Sequence, residues 1–274
     1  MEHITDVDLN TLSYRSIFEF VEQLSHDKLR DEEYIFSLCA YLKNDNRKNV
    51  KGLGKKLENN LVKYKNEVER TEKLYEFDRG FGNFSRIVGV DEVGRGPLAG
   101  PIVAAAVILK NEAPLEQCMI LGLNDSKKIS KENRERLYDI ITSEALYYSI
   151  ALLENTDIDE LGIAYCNNRI FINACDGLGV TPDFIISDGY PIRQYNIMNK
   201  GVVKGDTKSA SIAAASIIAK VYRDRLMEQY STIYPQYGFD KNAGYGTAEH
   251  IDAIKKYGIT PIHRKSFLKS ILSL

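Results

Sequence analysis

Four acidic side chains of this sequence stand at the ends of short apolar segments and are followed by turn residues. The segments have the length and the Val/Ile content of β-strands. Acids at the ends of aligned strands converge on one edge of a sheet. The pattern therefore predicts one carboxylate cluster, formed by Asp91 and Glu92 after the segment 87–90, Asp188 after 183–187 and Asp206 after 201–204.

The chemistry of such a cluster follows from its charge. Carboxylates brought together repel one another, and hard divalent cations relieve that repulsion. Oxygen ligands suit Mg²⁺ or Mn²⁺, and two such ions ~3.5–4 Å apart can activate a water and stabilise the leaving oxygen of a phosphodiester. No Cys or His accompanies the acids, which argues against zinc. No Ser–His pair with a glycine elbow is present, which argues against acyl transfer.

The adjacent acids Asp91 and Glu92 leave two interpretations open. Neighbouring residues of a strand point to opposite faces of the sheet. The two acids can therefore share a site only if the strand ends or bends between them, and Gly94 and Gly96 would supply the necessary freedom. The alternative is an exposed acidic turn between two hairpin strands.

The remaining acids also have other interpretations. Asp188, followed by Gly189, could form a hairpin corner. Asp206 could be the N-cap of the helix that follows it. A competing acid, Asp224, lies between arginines within that helix, where an ion pair is the ordinary role.

The elements that would position the acids begin near residue 81, after a segment that contains Gly80 and Gly82. Alternating or continuous apolar runs predict strands, and apolar residues at helical spacing predict helices. The strands are expected at 87–90, 102–109, 147–153, 183–187 and 201–204, and the helices at 131–143, 156–175, 212–226 and 247–257.

Residues 1–80 are rich in charge and show no strand pattern. Helical spacing occurs at 14–24, 31–42 and 57–77. The segment 44–56 carries five Lys or Arg residues around Gly52 and Gly54, which favours a solvated helix start or linker over a basic contact patch for nucleic acid. The sequence thus divides into a helical extension, 1–80, and a main domain, 81–274.

The composition places further bounds on function. The chain has 274 residues, a net charge of −2 and a hydrophobic fraction of 44%, which is ordinary for a globular protein. No apolar run is long enough to span a bilayer, and the N-terminal stretch lacks the apolar core of a secretory signal. The four cysteines are scattered, so we expect reduced thiols, a cytoplasmic location and no membrane partner.

Several motifs together resemble bacterial ribonuclease HII, the type 2 ribonuclease H family. The resemblance covers residues 84–270 in family order, and the Gly94-Arg95-Gly96 triplet favours HII over its HIII relative. Residues 1–80 resemble, more weakly, the helical extension of some bacterial members. The motifs are GVDEVGRGPLAGP from Gly89, SDG at 187–189, VKGD at 203–206, AAASIIAK at 213–220, GYGT at 244–247 and HRKSF at 263–267.

The resemblance implies an α/β protein with the RNase H-like fold, a mixed five-stranded sheet flanked by helices and a C-terminal helical portion. It implies hydrolysis of the RNA strand of RNA–DNA hybrids and incision 5′ to a ribonucleotide embedded in duplex DNA, with 3′-hydroxyl and 5′-phosphate ends. Two Mg²⁺ or Mn²⁺ ions, held by Asp91, Glu92, Asp188 and Asp206, would serve catalysis in a monomer. This raises Asp206 to the fourth metal ligand and demotes Asp224.

The resemblance also implies roles in substrate binding. Gly94, Arg95 and Gly96 match the loop whose backbone senses the 2′-hydroxyl, which alone separates RNA from DNA at a given site. Tyr245 matches the aromatic residue that packs against the nucleotide 3′ to the ribonucleotide. Phosphate contacts, which position without specifying, would come from Lys127, Lys128, Lys204, Lys208, Lys220 and Arg264.

Two rival functions stay open. One is a noncatalytic nucleic-acid-binding module of the same fold, whose acids hold a single structural ion. The other is a metal-dependent phosphotransferase acting on free nucleotides, which should carry a true phosphate loop. The GLGKK stretch at 52–56 lacks the spacing of such a loop and has no preceding strand.

Overall fold

The computed structural model describes residues 11–24, 31–111, 114–269 and 271. The chain divides into two compact units, Met1–Arg70 and Thr71–Leu274. Among the described residues, no helix combines the length and the apolar character needed to cross a membrane. The four cysteines are free thiols.

The first unit consists of helices with their own apolar core. Its elements are α1 (Tyr14–Glu22), α2 (Glu32–Lys43) and most of α3 (Lys48–Arg79). Gly52 and Gly54 lie inside α3, so the basic segment 44–56 contains a helix start and not a linker. A Cβ at Gly54 would lie 3.1 Å from the Leu42 side chain, which shows why this helix tolerates a glycine where α2 and α3 approach closely.

The last turns of α3 contribute to the second unit, so the contact boundary falls ten residues before the division at 80 that the sequence suggests. Leu74 and Tyr75 are buried in its core. Asp78 accepts hydrogen bonds from the backbone N–H and the hydroxyl of Ser211, at 2.9 and 2.8 Å. Burial raises the pKa of Asp78 to about 6.

The second unit is built around one sheet with helices on both faces. The strand order is β3-β2-β1-β4-β5. Strands β1 and β4 are parallel, as are β4 and β5, while β2 runs antiparallel to both β1 and β3. The mixed five-stranded sheet is thereby confirmed. The strands are β1 (Ile87–Val93), β2 (Ile102–Ile108), β3 (Tyr147–Leu153), β4 (Phe184–Asp188) and β5 (Asn199–Val202).

The helices of this unit agree with the predicted positions, with three exceptions. The helix predicted at 212–226 runs on to Ile233, and the short helix Phe239–Asn242 was not predicted. The segment expected as a single helix at 156–175 forms two, because Gly162 adopts φ +80° between them. The first of the two begins with a capping box formed by Glu154 and Asp157. The helices are α4 (Lys131–Glu144), α5 (Asn155–Leu161), α6 (Ile163–Asp176), α7 (Ala210–Ile233), α8 (Phe239–Asn242) and α9 (Ala248–Tyr257).

Helix α7 crosses β1 at Gly89, and this contact sets the geometry of the sheet edge. Any Cβ at Gly89 would overlap the backbone of Ser211. Val103, Ala105 and Val107 pack on the α7 side of the sheet, whereas α6 packs on the opposite side. Asp91, two residues beyond Gly89 on the same strand face, therefore meets α7 one helical turn further along.

Candidate active site

A cleft of about 580 Å³ lies at the edge of the sheet where the parallel strands β1 and β4 end. All four predicted acids line it, as do Gly94, Arg95, Gly96 and Tyr245. The convergence predicted from the strand ends is therefore present. The lining also includes Val93, Ser126, Lys127, Ser216 and Lys220.

Asp91 and Glu92 share the cleft although β1 does not end between them. The strand runs on to Val93, and both acids pair with β2, so the expectation of a strand end at this point is wrong. Pairing of β1 with β4 stops at Val90, which leaves this edge of β1 open beyond that residue. The cleft therefore reaches both faces of β1. Asp91 is only 7% exposed, which excludes an exposed acidic turn.

Asp188 and Asp206 are held by a tight turn after β5. The Asp188 Oδ1 accepts a hydrogen bond from the Gly205 N–H at 2.6 Å. Because β4 is parallel to β5, Asp188 is not a hairpin corner. Asp206 lies in a 3₁₀ turn, and the N-cap of α7 is Ser209, whose hydroxyl accepts from the Ile212 N–H. The capping interpretation of Asp206 is therefore wrong.

The acids perturb one another electrostatically. Burial and the neighbouring charges of Glu92 and Asp188 raise the pKa of Asp91 well above its ordinary value. Burial raises the pKa of Glu92 to about 7, with Arg95 opposing and Asp188 adding to the shift. Burial and the charge of Asp188 also raise the pKa of Asp206. The site concentrates more negative charge than the protein alone neutralises.

The donor set fits a hard divalent cation. All four acids offer carboxylate oxygens, and the described lining of the cleft contains no His or Cys. With the side chains in their present positions, no three or more Asp, Glu, His or Cys residues of the described part of the chain are arranged to hold a metal ion. Burial first, and mutual repulsion after it, raise the pKa values of these acids, and cation binding relieves the repulsion.

Arg95 and Gly96 are exposed at the cleft, while the glycine-rich loop that carries them packs inward. Arg95 forms an ion pair with Glu92 at 3.5 Å. A Cβ built on Gly96 would meet only the Tyr245 ring, at 3.9 Å. Nothing in the free protein therefore requires glycine at this position, since a Cβ there would be in ordinary van der Waals contact with Tyr245.

The predicted phosphate-contacting side chains fall into two groups. Lys127 and Lys220 line the cleft, and the charges of Lys127 and Lys128 lower the pKa of Asp206 against the dominant effect of burial. Lys204 and Lys208 are exposed on either side of Asp206.

Arg264 contradicts the prediction. Its side chain is 0% exposed, and its guanidinium donates hydrogen bonds to the backbone carbonyls of Gly94, Arg95 and Gly100. It cannot reach a phosphate from this position.

Sequence reasoning missed two hydroxyl residues of the cleft. Ser216 and Ser126 are buried, and their Oγ atoms lie 3.0 Å apart. A hydrogen bond from Ser216 to the Asp91 carboxylate opposes the rise in its pKa. The available signal for Ser216 was its place as the one polar residue in the apolar run 212–219 of α7. Asp224 pairs with Lys220 at 2.7 Å, as the ion-pair interpretation expected.

Two buried histidines form a hydrogen-bonded relay that ends at the carbonyl of Tyr245. The Thr260 N–H donates to Nδ1 of His263, so the proton of that ring is on Nε2. This Nε2 faces Nε2 of His250 at 3.1 Å, and Nδ1 of His250 then donates to the Tyr245 oxygen at 2.9 Å. The two bonds that a ring nitrogen accepts, from Thr260 N–H to His263 and from His263 to His250, require neutral rings.

Acid is expected to destabilise the protein through this relay. Burial and the neighbouring His250 lower the pKa of His263 to about 4, below its unfolded value of about 6.5. The unfolded chain therefore binds the proton first, and stability falls as the pH drops from about 6.5 to 4, by up to about 1.4 kcal/mol per pH unit. Urea unfolding across this range measures the loss.

His263→Gln is the matched variant, because its amide keeps a donor toward His250 and does not titrate. The difference between the two pH curves isolates the histidine from the buried acids, which act in the opposite direction. Parallel curves for the variant and the wild type would contradict this account.

The comparisons with known proteins agree with this fold and show the family of the chain. The family model "Ribonuclease HII" matches residues 88–270, and "Ribonuclease HII N-terminal domain" matches residues 16–82. A ribonuclease HII of Clostridium beijerinckii is 53% identical over 266 residues, 97% of this chain and 98% of its own. One of Clostridium perfringens is 53% identical over 265 residues, covering 97% and 96%.

A solved structure extends the agreement to the backbone. The ribonuclease H2 of Pyrococcus horikoshii OT3 superposes with a TM-score of 0.58 at 28% identity, over 69% of this chain and 97% of that chain. The mixed sheet and these matches place the chain among nucleases of the ribonuclease H type. The chain belongs to the ribonuclease HII family, which confirms the resemblance noted in its motifs.

Proposed function

We propose that this protein is an endonuclease that hydrolyses the RNA strand of RNA–DNA hybrids and incises 5′ to ribonucleotides embedded in duplex DNA. The observation that carries the proposal is the joining, in one cleft, of four mutually repelling acids with a glycine-rich loop and Tyr245. Family membership supports the reaction class. The finer specificity rests on the loop and on Tyr245.

Asp91, Glu92, Asp188 and Asp206 would hold Mg²⁺ or Mn²⁺, since their oxygens suit these ions. When bound, a pair of such ions supplies an activated water and charge stabilisation at a phosphodiester. The chain itself fixes the carboxylates: the Gly205 N–H orients Asp188, and the Glu92 N–H donates to Oδ1 of Asp91 at 2.7 Å. The protein's part is thus mainly positioning.

The loop and Tyr245 would read the sugar. A 2′-hydroxyl is a small donor and acceptor group, and a glycine exposed at the cleft lets the loop backbone approach it closely. Tyr245, 41% exposed across the cleft, offers a ring against the next nucleotide. A second 2′-hydroxyl there would crowd the ring, which favours deoxyribose on that side.

Lysines at the mouth of the cleft would contact phosphates. Lys127, Lys128, Lys204 and Lys208 are exposed around Asp206, and such contacts set register without reading sequence. They give the duplex an electrostatic anchor although the net charge of the chain is −2.

A nicking assay tests the proposal directly. With Mg²⁺ or Mn²⁺, the full-length protein is expected to cut a DNA duplex that contains one ribonucleotide and the RNA strand of a hybrid, and to leave an all-DNA duplex intact. Extension of the 3′ end by a polymerase and ligation of the 5′ end identify the products. Excess EDTA should stop the reaction, because the acids then lack their cations.

The alternative functions give different results in the same assay. Binding of the duplex without incision in either metal would indicate the noncatalytic module. Turnover of free ribonucleotides without a duplex would indicate the phosphotransferase. Equal cutting of duplexes with and without the ribonucleotide would contradict the proposed specificity.

A further inference from the structure

Two arginines are completely buried beside the glycine-rich loop. Arg223 of α7 and Arg264 are each 0% exposed and are the two largest fully buried side chains in the described part of the chain. Arg223 is the one charged side chain among the buried residues of α7, and the guanidinium of Arg264 also stacks on Phe267 at 5.3 Å. Burying two positive charges near each other is costly unless their donors are satisfied.

All six hydrogen bonds that the two side chains donate within the described residues go to backbone carbonyls. Arg264 binds both ends of the loop, with bonds to the oxygens of Gly94 (2.6 Å), Arg95 (3.2 Å) and Gly100 (2.9 Å). Arg223 holds the loop end and a second segment, with bonds to Pro101 (2.9 Å), Ala99 (3.1 Å) and Ala243 (2.9 Å). Five of the six acceptors belong to the segment 94–101.

These bonds fix the direction of the loop's amide groups. In a trans peptide unit the C=O and the following N–H point in opposite directions. Because Arg264 binds the carbonyls of Gly94 and Arg95, the N–H groups of Arg95 and Gly96 point away from it. Arg95 and Gly96 line the cleft, so the side of the loop opposite Arg264 presents these donors there.

The glycines of the loop are fitted to the guanidinium groups. Gly94 has φ +94°, and a Cβ there would overlap Arg223 and lie 2.8 Å from the Pro101 oxygen. Gly100 has φ +83°, and its Cβ would lie 2.5 Å from Sδ of Met227 and 3.3 Å from Nη2 of Arg223. The left-handed Ala243 (φ +49°), whose carbonyl binds Arg223, stands two residues before Tyr245.

Both buried guanidinium groups keep their positive charge. Desolvation lowers the pKa of Arg223 to about 10 and, together with the charge of Arg223, lowers that of Arg264 to about 9. Both groups remain protonated at neutral pH. Well-packed apolar side chains often give equal stability in place of buried charges, so packing alone does not account for two planar five-donor groups directed at one loop.

We propose that Arg223 and Arg264 are positioning residues for ribonucleotide recognition: they turn the loop's carbonyls inward so that its N–H donors face the cleft, and they tie the loop to the Tyr245 segment. The inference rests on the proposed function, since it concerns how the same site selects its substrate. Neither arginine contacts the nucleic acid.

Arg264→Lys tests the proposal, because lysine keeps the charge and loses the planar fork. We expect kcat/KM for a duplex with one ribonucleotide to fall about 100-fold, the size of effect produced by a displacement of about 1 Å. The Kd for an all-DNA duplex of the same length, set by the lysines, should change less than about 2-fold. In ¹⁵N-glycine spectra, the Gly94 and Gly96 amide signals should shift.

Leu137→Ala is the matched control, since Leu137 is buried in the core that α4 shares with α7 and its loss lowers stability without removing a loop contact. Both variants are assayed where circular dichroism shows them folded. The control should keep the wild-type ratio of incision to DNA affinity. If Arg264→Lys acted only by lowering stability, it would keep that ratio as well.

The outcomes are distinguishable from failure of the proposed function. If the wild-type protein does not incise at ribonucleotides, the proposed function fails. If the wild type incises and Arg264→Lys keeps its kcat/KM, or loses DNA affinity in the same proportion, the positioning role is overturned. Should Arg264→Lys not fold, Arg223→Lys repeats the measurement, and loss of fold in both would show that the arginines hold the domain rather than aim the loop.

Discussion

Asp188→Asn is expected to lower the rate of incision by about 1,000-fold or more, while the free protein stays as stable as the wild type or becomes more stable. The activity falls because a neutral amide is a poor ligand for a hard cation and removes charge where the phosphodiester needs it balanced. The fold is kept because Asn Oδ1 can still accept from the Gly205 N–H. Stability rises because the charge of Asp188 raises the pKa values of Asp91, Glu92 and Asp206.

Three measurements check this expectation: single-turnover incision, thermal unfolding without divalent ions, and unfolding with millimolar Mg²⁺ or Mn²⁺. Ions that bind only the folded state raise the unfolding temperature, so the wild type should be stabilised and Asp188→Asn much less so. Asp139→Asn, which alters an exposed acid of α4, should behave as the wild type in all three. If Asp188→Asn incised at the wild-type rate, the proposed metal site would be contradicted.

The placement of the acids was predictable because it follows from strand ends. Parallel β1, β4 and β5 must deliver the residues after them to the same edge, and apolar composition located those strands within a few residues. The alternatives for Asp188 and Asp206 needed long-range pairing to decide: a parallel neighbour excludes a hairpin, and Ser209 takes the capping position. Their role as metal ligands stays a prediction.

The positions of Arg264 and Arg223 could not be read from the sequence. A basic residue in a loop or on a helix is ordinarily solvated, and the sequence places both among other cations. Their burial depends on a set of inward-facing carbonyls in the segment 94–101, which exists only once the loop has folded. Periodicity of side chains carries no information about where carbonyl groups point.

The shared position of Asp91 and Glu92 was predicted in part for an incorrect reason. Alternation along a strand suggested that β1 must end or bend between them, and the strand end is absent. Instead β1 continues, and the neighbouring β4 ends earlier. Strand lengths relative to one another are a property of the sheet, so no local pattern at 87–96 could have supplied this answer.

Substitution by alanine should affect activity at Gly96 and stability at Gly94. A Cβ at Gly96 meets only an ordinary contact in the free protein, and Gly96 is not among the glycines with positive φ. Gly96→Ala should therefore leave the free energy of unfolding within about 0.5 kcal/mol of the wild type. Incision at a ribonucleotide should nevertheless fall about 100-fold, because the methyl group occupies the space through which the sugar approaches the loop.

Gly94→Ala provides the contrast, because its cost is already present without substrate. The φ of +94° and the overlap with Arg223 and the Pro101 carbonyl should lower the free energy of unfolding by about 2 kcal/mol or more. Urea unfolding and incision kinetics of the two variants, measured side by side, separate the roles. If Gly96→Ala cut at the wild-type rate, the sugar would not approach the loop there; if it were as unstable as Gly94→Ala, the glycine would serve the fold and the space beside Tyr245 would have no function in recognition.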